Sequence, residues 1–300
     1  MQLSHSPAED KSVLVIEFAN KVHADRKLAD AIGEAKREFG SVQSLMLPHI
    51  RELEKALQNV ESDEVGMVIL IEPNDMETVS KLPPLYPDIY FTIIDMKEPV
   101  YAANVQNVSF KEDAGAFLLG TVASMRSNTR ISVMAMDMDA RANMLAERFA
   151  AGIRHSEPAT EIDLQLNLKP TGDSPTRPAT AMDNAFKNGS DVIFALDDET
   201  AELALRIART ERKLVITADA PPITADTSRL LTFMVKRYDL ALMDVLRIYR
   251  HKQWRAGKIE LGLTGGYVDY SLNADNVELF PKESIDQIEA IKDQLAQGRL

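Results

Sequence analysis

V-S-F-K-E-D-A-G-A-F-L-L-G-T-V-A-S-M, residues Val108–Met125, is the stretch from which the fold is read. It opens as a short strand ending near Phe110 and turns at Lys111–Asp113 into a helix. Ala114, Phe117, Leu118, Thr121, Val122 and Met125 recur at helical spacing and define one continuous face. Glu112 and Asp113 fall in the first turn, where carboxylates complement the helix dipole. Gly115 and Gly120 each cost about 1 kcal/mol against Ala inside a helix, so a second backbone is expected to pack close to them. A polar break, R-S-N-T-R, follows Met125, and a new strand starts at Ile131. The helix therefore closes one half of the chain and a second βα series begins behind it.

Outward from this stretch the chain alternates strand and helix. Strands are expected at Ser12–Phe18, Ser41–Leu47, Gly66–Ile71, Tyr90–Ile94 and Val105–Phe110 in the first half. A second set is expected at Ile131–Met136, Ile162–Leu168, Asp191–Leu196, Lys213–Ala218 and Leu230–Val235. Late strands follow at Lys258–Leu263 and Tyr267–Tyr270. S-V-L-V-I-E-F and G-M-V-I-L-I are unbroken apolar runs, as in sheets covered on both faces. Helices are expected over Arg26–Phe39, His49–Val60, a segment capped by Asn74 or Asp75 and ended by Pro83-Pro84, Ala140–Arg154, a segment capped by Ser174 with Pro175 at its first position, Glu199–Arg209, a segment starting at Tyr238, and Ile285–Leu295. Two such series predict two open, mostly parallel α/β sheets. Ligands of such sheets bind beyond the carboxyl ends of the strands. The candidate residues are therefore those just after strands: Glu17, Phe18 and Asn20; Glu72, Asn74 and Asp75; Asp137; Asp197 and Asp198; and Asp219.

Composition narrows the function classes. Three hundred residues suit two domains, and the formal net charge of −12 opposes a nucleic-acid surface. Trp254 among Arg250, Lys252 and Arg255 reads as a solvated helix terminus. There are no cysteines, which removes disulfides, thiolate metal sites and thiol nucleophiles. The five histidines are dispersed, and no metal centre is expected. Met134, Met136 and Met138 alternate along a strand and read as core. G-x-G-x-x-G, G-x-x-x-x-G-K-S/T and G-x-S-x-G are all absent, so no catalytic residues and no cofactor are expected. No apolar run reaches the roughly 18 residues of a membrane span. The polar opening reads either as a native cytoplasmic start or as one left by removal of a signal segment.

Five segments, in order, resemble a known family. V-S-F-K-E-D-A-G-A-F-L-L-G is similar to F-K/R-E-x-E-G/A-x-F/Y-L-x-G. Tyr86–Asp95 (Y-P-D-I-Y-F-T-I-I-D), Asn188–Phe194 (N-G-S-D-V-I-F), Leu231–Asp239 (L-T-F-M-V-K-R-Y-D) and Trp254–Gly266 (W-R-A-G-K-I-E-L-G-L-T-G-G) supply the others. The family is the basic membrane protein (BMP) family, lipoprotein substrate-binding proteins of ABC importers that include purine-nucleoside receptors. The resemblance implies a type I periplasmic-binding-protein fold with two doubly wound parallel-sheet lobes joined by a three-segment hinge. It implies one lobe over 1–127 plus about 236–266, another over 128–235 plus about 267–300, and a ligand cleft between them. It also implies a small-molecule ligand, a membrane permease as partner, no nucleic acid, a monomer, and an extracytoplasmic location with a lipid anchor if a signal segment preceded the chain.

Carried over by motif, Asp219 in I-T-A-D and Lys236 in K-R-Y-D fall on the family's ribose contacts. A carboxylate accepts hydroxyl protons and an ammonium donates back, which suits a vicinal diol. Asp137 keeps the acid of the family's G-G-M-D without its glycines. Glu17 or Phe18, with Asn20 or Asp25, stand where the family's first-strand loop reads the base, and Phe18 is a candidate stacking group. Asp197 and Asp198 replace a glycine pair. The expected function is capture of a nucleoside-like ligand for an importer. A ligand-sensing protein of the same fold is the alternative, and a nucleoside hydrolase the third reading.

Overall fold

Strands β1 (Ser12–Phe18) and β3 (Val65–Ile71) lie at the centre of the first sheet, and β3 is buried at every position. Unbroken apolar runs can form strands only where both faces are covered, and these two pair in parallel with each other. The computed structural model describes residues 11–19, 26–59, 64–127, 129–174, 176–221, 225–272, 276–280 and 282–300. The first sheet adds β2 (Val42–Leu47), β4 (Tyr90–Ile94), β5 (Val105–Phe110) and β11 (Gly257–Leu261), in the order β11-β5-β4-β3-β1-β2. All of its pairings are parallel.

The second sheet contains β6 (Arg130–Ala135), β7 (Glu161–Leu166), β8 (Ser190–Ala195), β9 (Leu214–Thr217), β10 (Leu230–Lys236) and β12 (Val268–Tyr270). Its order is β12-β10-β9-β8-β6-β7, with only the β12 edge antiparallel. Counted from their own first strands, both sheets read 6-5-4-3-1-2. The topological switch point falls between β1 and β3 in one and between β6 and β8 in the other.

Two compact units result. One holds Met1–Phe110 and Arg237–Leu261, and the other Lys111–Lys236 and Gly262–Leu300. The chain passes between them three times. Helix α4 (Glu112–Ser124) belongs to the second unit, whereas a first lobe ending at 127 would have placed it in the first. The cause is its packing against α5 (Ala140–Ser156). A Cβ on Gly120 would stand 2.0 Å from the Phe149 carbonyl oxygen, and one on Gly152 would stand 2.0 Å from that of Phe117. The second backbone expected beside Gly120 is thus α5. Gly115 meets side chains instead, those of Met234 and Val268. Nor does α4 present a single apolar face. Ala116, Leu119 and Ala123 are buried along with Leu118 and Val122, so the helix is enclosed nearly all round.

The first unit's core gathers Ile16, Phe18, Leu53, Val68, Leu70, Leu82 and Phe91, among others. Trp254 joins that unit's interior rather than a solvated terminus. It is 7% exposed, stacks on Tyr90 at 4.3 Å, and its indole N–H donates to the Thr92 hydroxyl at 3.0 Å. In the second unit Met134 and Met136 are core, while Met138, past the strand end, is exposed. Element ends differ locally from the sequence reading. The expected helix at His49–Val60 is a 3-10 turn (Ile50–Glu52) followed by α2 (Leu53–Gln58). Helix α3 (Met76–Leu85) retains both prolines in its last turn. Helix α6 (Arg177–Lys187) has Thr176, not Ser174, at its N-cap position, with no side-chain cap bond, and Pro178 rather than Pro175 occupies its opening turn. Pro175 lies outside the described residues.

Candidate functional site

At the carboxyl end of the second unit's sheet, four charged side chains from four elements meet. Lys236 is the last residue of β10, and Asp219 lies two residues beyond β9. Glu112 opens α4, and Arg141 sits in the first turn of α5, the helix that follows β6. The Lys236 ammonium lies 2.6 Å from Glu112 Oε1 and 3.3 Å from Asp219 Oδ1. Arg141 donates through Nε and Nη2 to both oxygens of Glu112, at 2.8 and 2.7 Å. Its Nη2 also reaches Asp219 Oδ2 at 2.8 Å, and Nη1 points to the Leu196 carbonyl at 3.4 Å. The Gly120–Gly152 crossing fixes how closely α4 and α5 approach, and so sets the spacing of Glu112 and Arg141.

The cluster lies mostly out of water while keeping an accessible edge. Side-chain exposure is 9% for Lys236, 13% for Glu112, 27% for Arg141 and 28% for Asp219. Burial alone would raise the Asp219 carboxyl, but Lys236 and Arg141 outweigh it and hold it far below the ordinary carboxylate value. Glu112 is likewise depressed, because Lys236 and Arg141 overcome its desolvation. Burial works against the Arg141 charge, and Asp219 and Glu112 reverse that and raise it. Two carboxylates and two cations stand charge-balanced beside the β6/β8 switch point, where the fold places ligands.

The sequence candidates divide sharply. Asp219 and Lys236 are together. Asp197 is a helix cap for α7 (Asp198–Glu211): it accepts from Thr200 N at 2.8 Å and from Met136 N at 2.7 Å. Asp198 is exposed in the first turn of α7. Asp137 is exposed and paired with Lys169 at 2.5 Å. In the first unit, Asp75 caps α3, accepting from Thr78 N and Oγ1 at 3.2 and 2.7 Å, and Asn74 is exposed. Phe18 is 3% exposed within that unit's core, so its ring is committed to packing rather than to stacking on a ligand. Glu17 is half-buried at the end of β1, and burial raises its carboxyl despite Lys36. Asn20 and Asp25 lie outside the described residues. Glu72 (φ 50°) and Asp95 (φ 60°) hold left-handed backbones at the ends of β3 and β4, and Asp95 accepts from the Tyr238 hydroxyl at 2.6 Å.

Sequence reasoning missed two members of the cluster. In the sequence Glu112 reads only as a dipole partner, and nothing local singles out Arg141. The signal for Arg141 was its place in the first turn of the helix after β6, the element that flanks the switch point.

Residues 17–296 match the family described as ABC transporter substrate-binding protein PnrA-like (Bmp). The chain belongs to this family. Among relatives of the Bmp chain is an uncharacterized lipoprotein of Pyrococcus furiosus, 26% identical over 262 residues that cover 82% of this chain. The chain spans 58–65% of the length of the curated relatives it matches. In fold it is similar to a transcriptional activator of the comK gene from Bacillus halodurans, with a TM-score of 0.74 at 16% identity over 97% of this chain and 99% of that one. It is also similar to an ABC transporter solute-binding protein from Conexibacter woesei, with a TM-score of 0.73 at 14% identity over 97% of both chains. The fold is therefore the type I periplasmic-binding-protein fold, two parallel-sheet α/β lobes with six strands each among the described residues.

Proposed function

We infer that this Bmp-family protein captures a neutral, diol-bearing small molecule, nucleoside-like in character, and presents it to an ABC permease. The observation that carries the reading is the Asp219–Lys236 pair, an acceptor and a donor 3.3 Å apart at the strand ends. A carboxylate can accept both protons of a vicinal diol while an ammonium donates to its oxygens, and no other functional group is required. The protein acts as a monomeric binder without turnover. Its working location is extracytoplasmic, with a lipid anchor in the native form, a reading supported by the lipoprotein name of the Pyrococcus relative. Among the described residues, no helix is long and apolar enough to cross a membrane.

A second reading is a sensor of the same ligand, favoured by the fold it shares with the comK activator. Retention of the ligand-loaded protein by a reconstituted permease would separate the importer from the sensor.

A thermal-shift screen of nucleosides, nucleobases and sugars tests the ligand class. A ligand at 100 times its Kd stabilises the fold by about 2.7 kcal/mol, which raises the melting temperature by roughly 5–10 °C for a unit of this size. A screen in which only nucleobases, lacking the diol, shift the melt would contradict the reading.

A further inference from the structure

We propose that Arg141 and Glu112 are positioning residues that set the specificity of the Asp219–Lys236 pair, holding it as a charge-balanced clamp that admits an uncharged diol and rejects one carrying an anionic group. This rests on the reading above that the pair contacts a diol.

The geometry assigns each residue a part. Arg141 has four of its five N–H groups committed inside the cluster, which leaves one Nη1 N–H and no two-pronged fork for an incoming anion. Nε and Nη2 are committed to Glu112, Nη2 also to Asp219, and Nη1 faces the Leu196 carbonyl. Its fork braces Asp219 through Oδ2 at 2.8 Å, which turns Oδ1 toward Lys236. Glu112 does the same for Lys236 from the other side, at 2.6 Å. The Asp219–Lys236 contact, at 3.3 Å, is then the loosest of the cluster's ion pairs and the place where a ligand can insert without dismantling the rest. A hydroxyl pair entering there exchanges neutral hydrogen bonds and leaves the balance of two cations and two anions intact. A phosphate or carboxylate entering there meets both Glu112 and Asp219 at low exposure, and like charges at such range cost affinity.

The groups facing Asp219 are Arg141 from α5, Glu112 from α4 and Lys236 from β10. Its own main-chain carbonyl accepts from the Thr217 hydroxyl at 2.6 Å. Removing the Arg141 charge leaves Lys236 as the single cation against two carboxylates, so the Asp219 carboxyl rises toward the ordinary carboxylate range. Ligand affinity then acquires a pH dependence that the intact cluster lacks.

The test is calorimetric titration of the full chain with adenosine, guanosine, inosine and uridine, with their 3′-monophosphates, which replace one hydroxyl of the diol by an anion, and with their 3′-O-methyl ethers, which block the same hydroxyl without charge. Wild type, Arg141→Gln, Arg141→Lys, Glu112→Gln and Asp219→Asn are compared between pH 4.5 and 8, with circular dichroism confirming the fold. The wild type is expected to bind the 3′-O-methyl nucleoside at least about tenfold more tightly than the 3′-monophosphate, and the parent nucleoside more tightly still, with a flat pH profile. Arg141→Gln is expected to lose about ten- to a hundredfold in affinity and to weaken further as the pH falls toward 4.5. Arg141→Lys restores the flat profile without restoring full affinity, because it returns the charge without the fork. If Arg141→Gln does not fold, Glu112→Gln serves in its place and is expected to admit the 3′-monophosphate. Equal binding of the 3′-O-methyl nucleoside and the 3′-monophosphate by the wild type overturns the proposal. So does an Arg141→Gln protein with wild-type affinity and a flat profile while Asp219→Asn has lost binding, a result that keeps the diol site itself. A wild type that binds none of the nucleosides overturns the diol reading, and the proposal with it.

Discussion

Replacing Lys236 by Met keeps most of the side chain's length and removes its charge from between two carboxylates. Lys236 is 9% exposed, and its partners Glu112 and Asp219 are 13% and 28% exposed, so solvent screens little of the loss. Removing one partner of a buried ion pair costs about 3–5 kcal/mol, while exposed pairs contribute about 0.2–1 kcal/mol. Arg141 remains bonded to both stranded carboxylates, which places the expected cost near the lower end of the buried range, about 3 kcal/mol. For a unit of about 165 residues this corresponds to a fall in melting temperature of roughly 6–12 °C. The second half of the cycle is Glu112→Gln. Made together, the two changes leave Arg141 facing Asp219 with charge restored, so the double variant should lose less than the sum of the singles by about 1–2 kcal/mol. Urea unfolding at pH 7, read as midpoint shifts at constant slope, measures all three proteins. Additivity within about 0.5 kcal/mol, or a Lys236→Met loss below about 0.5 kcal/mol, would show that the four side chains do not act as one network.

Three further outcomes follow from the same geometry. Gly120→Ala would push a Cβ to within 2.0 Å of the Phe149 carbonyl oxygen, a backbone atom that no rotamer change can move. It should cost about 3 kcal/mol or more, whereas Gly115→Ala meets side chains, the flexible end of Met234 at 2.8 Å and the stiffer Val268 methyl at 2.9 Å, and should cost less, about 1 kcal/mol after its gain in helix propensity; equal melting temperatures for the two variants would contradict the α4–α5 crossing. Asp219 and Glu112 both have depressed carboxyls, so their contribution to stability is fully present above the unfolded carboxylate range and is lost as the pH falls below about 4. Lys236→Met should move that loss to higher pH, as acid-unfolding midpoints would report. Glu17 is the opposite case: burial raises its carboxyl, so ionised Glu17 opposes folding at neutral pH. Glu17→Gln should raise the melting temperature at pH 7, with the gain shrinking as the solution is acidified, and a fall in melting temperature at pH 7 would assign Glu17 a favourable partner.

The alternation of strand and helix was legible because apolar runs such as Val65–Ile71 carry their burial in their composition. Strand order was legible only as a class. That β11 lies beside β5, nearly 150 residues away in sequence, depends on pairing that no local pattern encodes. Likewise α4 read as a helix with one buried face because its periodicity is real. The glycine contacts that enclose it depend on α5, whose Gly152 carried no special signal in sequence. At the site, Asp219 and Lys236 were reachable through their motif and their place after strands. Arg141 was not, because a surface arginine and a bridging arginine look alike until the helix that carries it is placed. The aspartates after β8 and before α3 were over-read for a physical reason. Asp197 and Asp75 occupy strand-end positions, but the same positions are helix starts, and capping unsatisfied N–H groups is the more immediate use of a carboxylate there. Phe18 was over-read similarly, since a strand end in this unit is still inside its core.

The most direct test of the account is the affinity of Asp219→Asn for the nucleoside that most stabilises the wild-type protein, measured by titration calorimetry beside a near-UV spectrum showing native packing. The amide keeps the size of the side chain but removes the charged acceptor, so affinity should fall by at least about tenfold with the fold intact. Undiminished affinity in a folded Asp219→Asn protein would place the ligand somewhere other than this cluster.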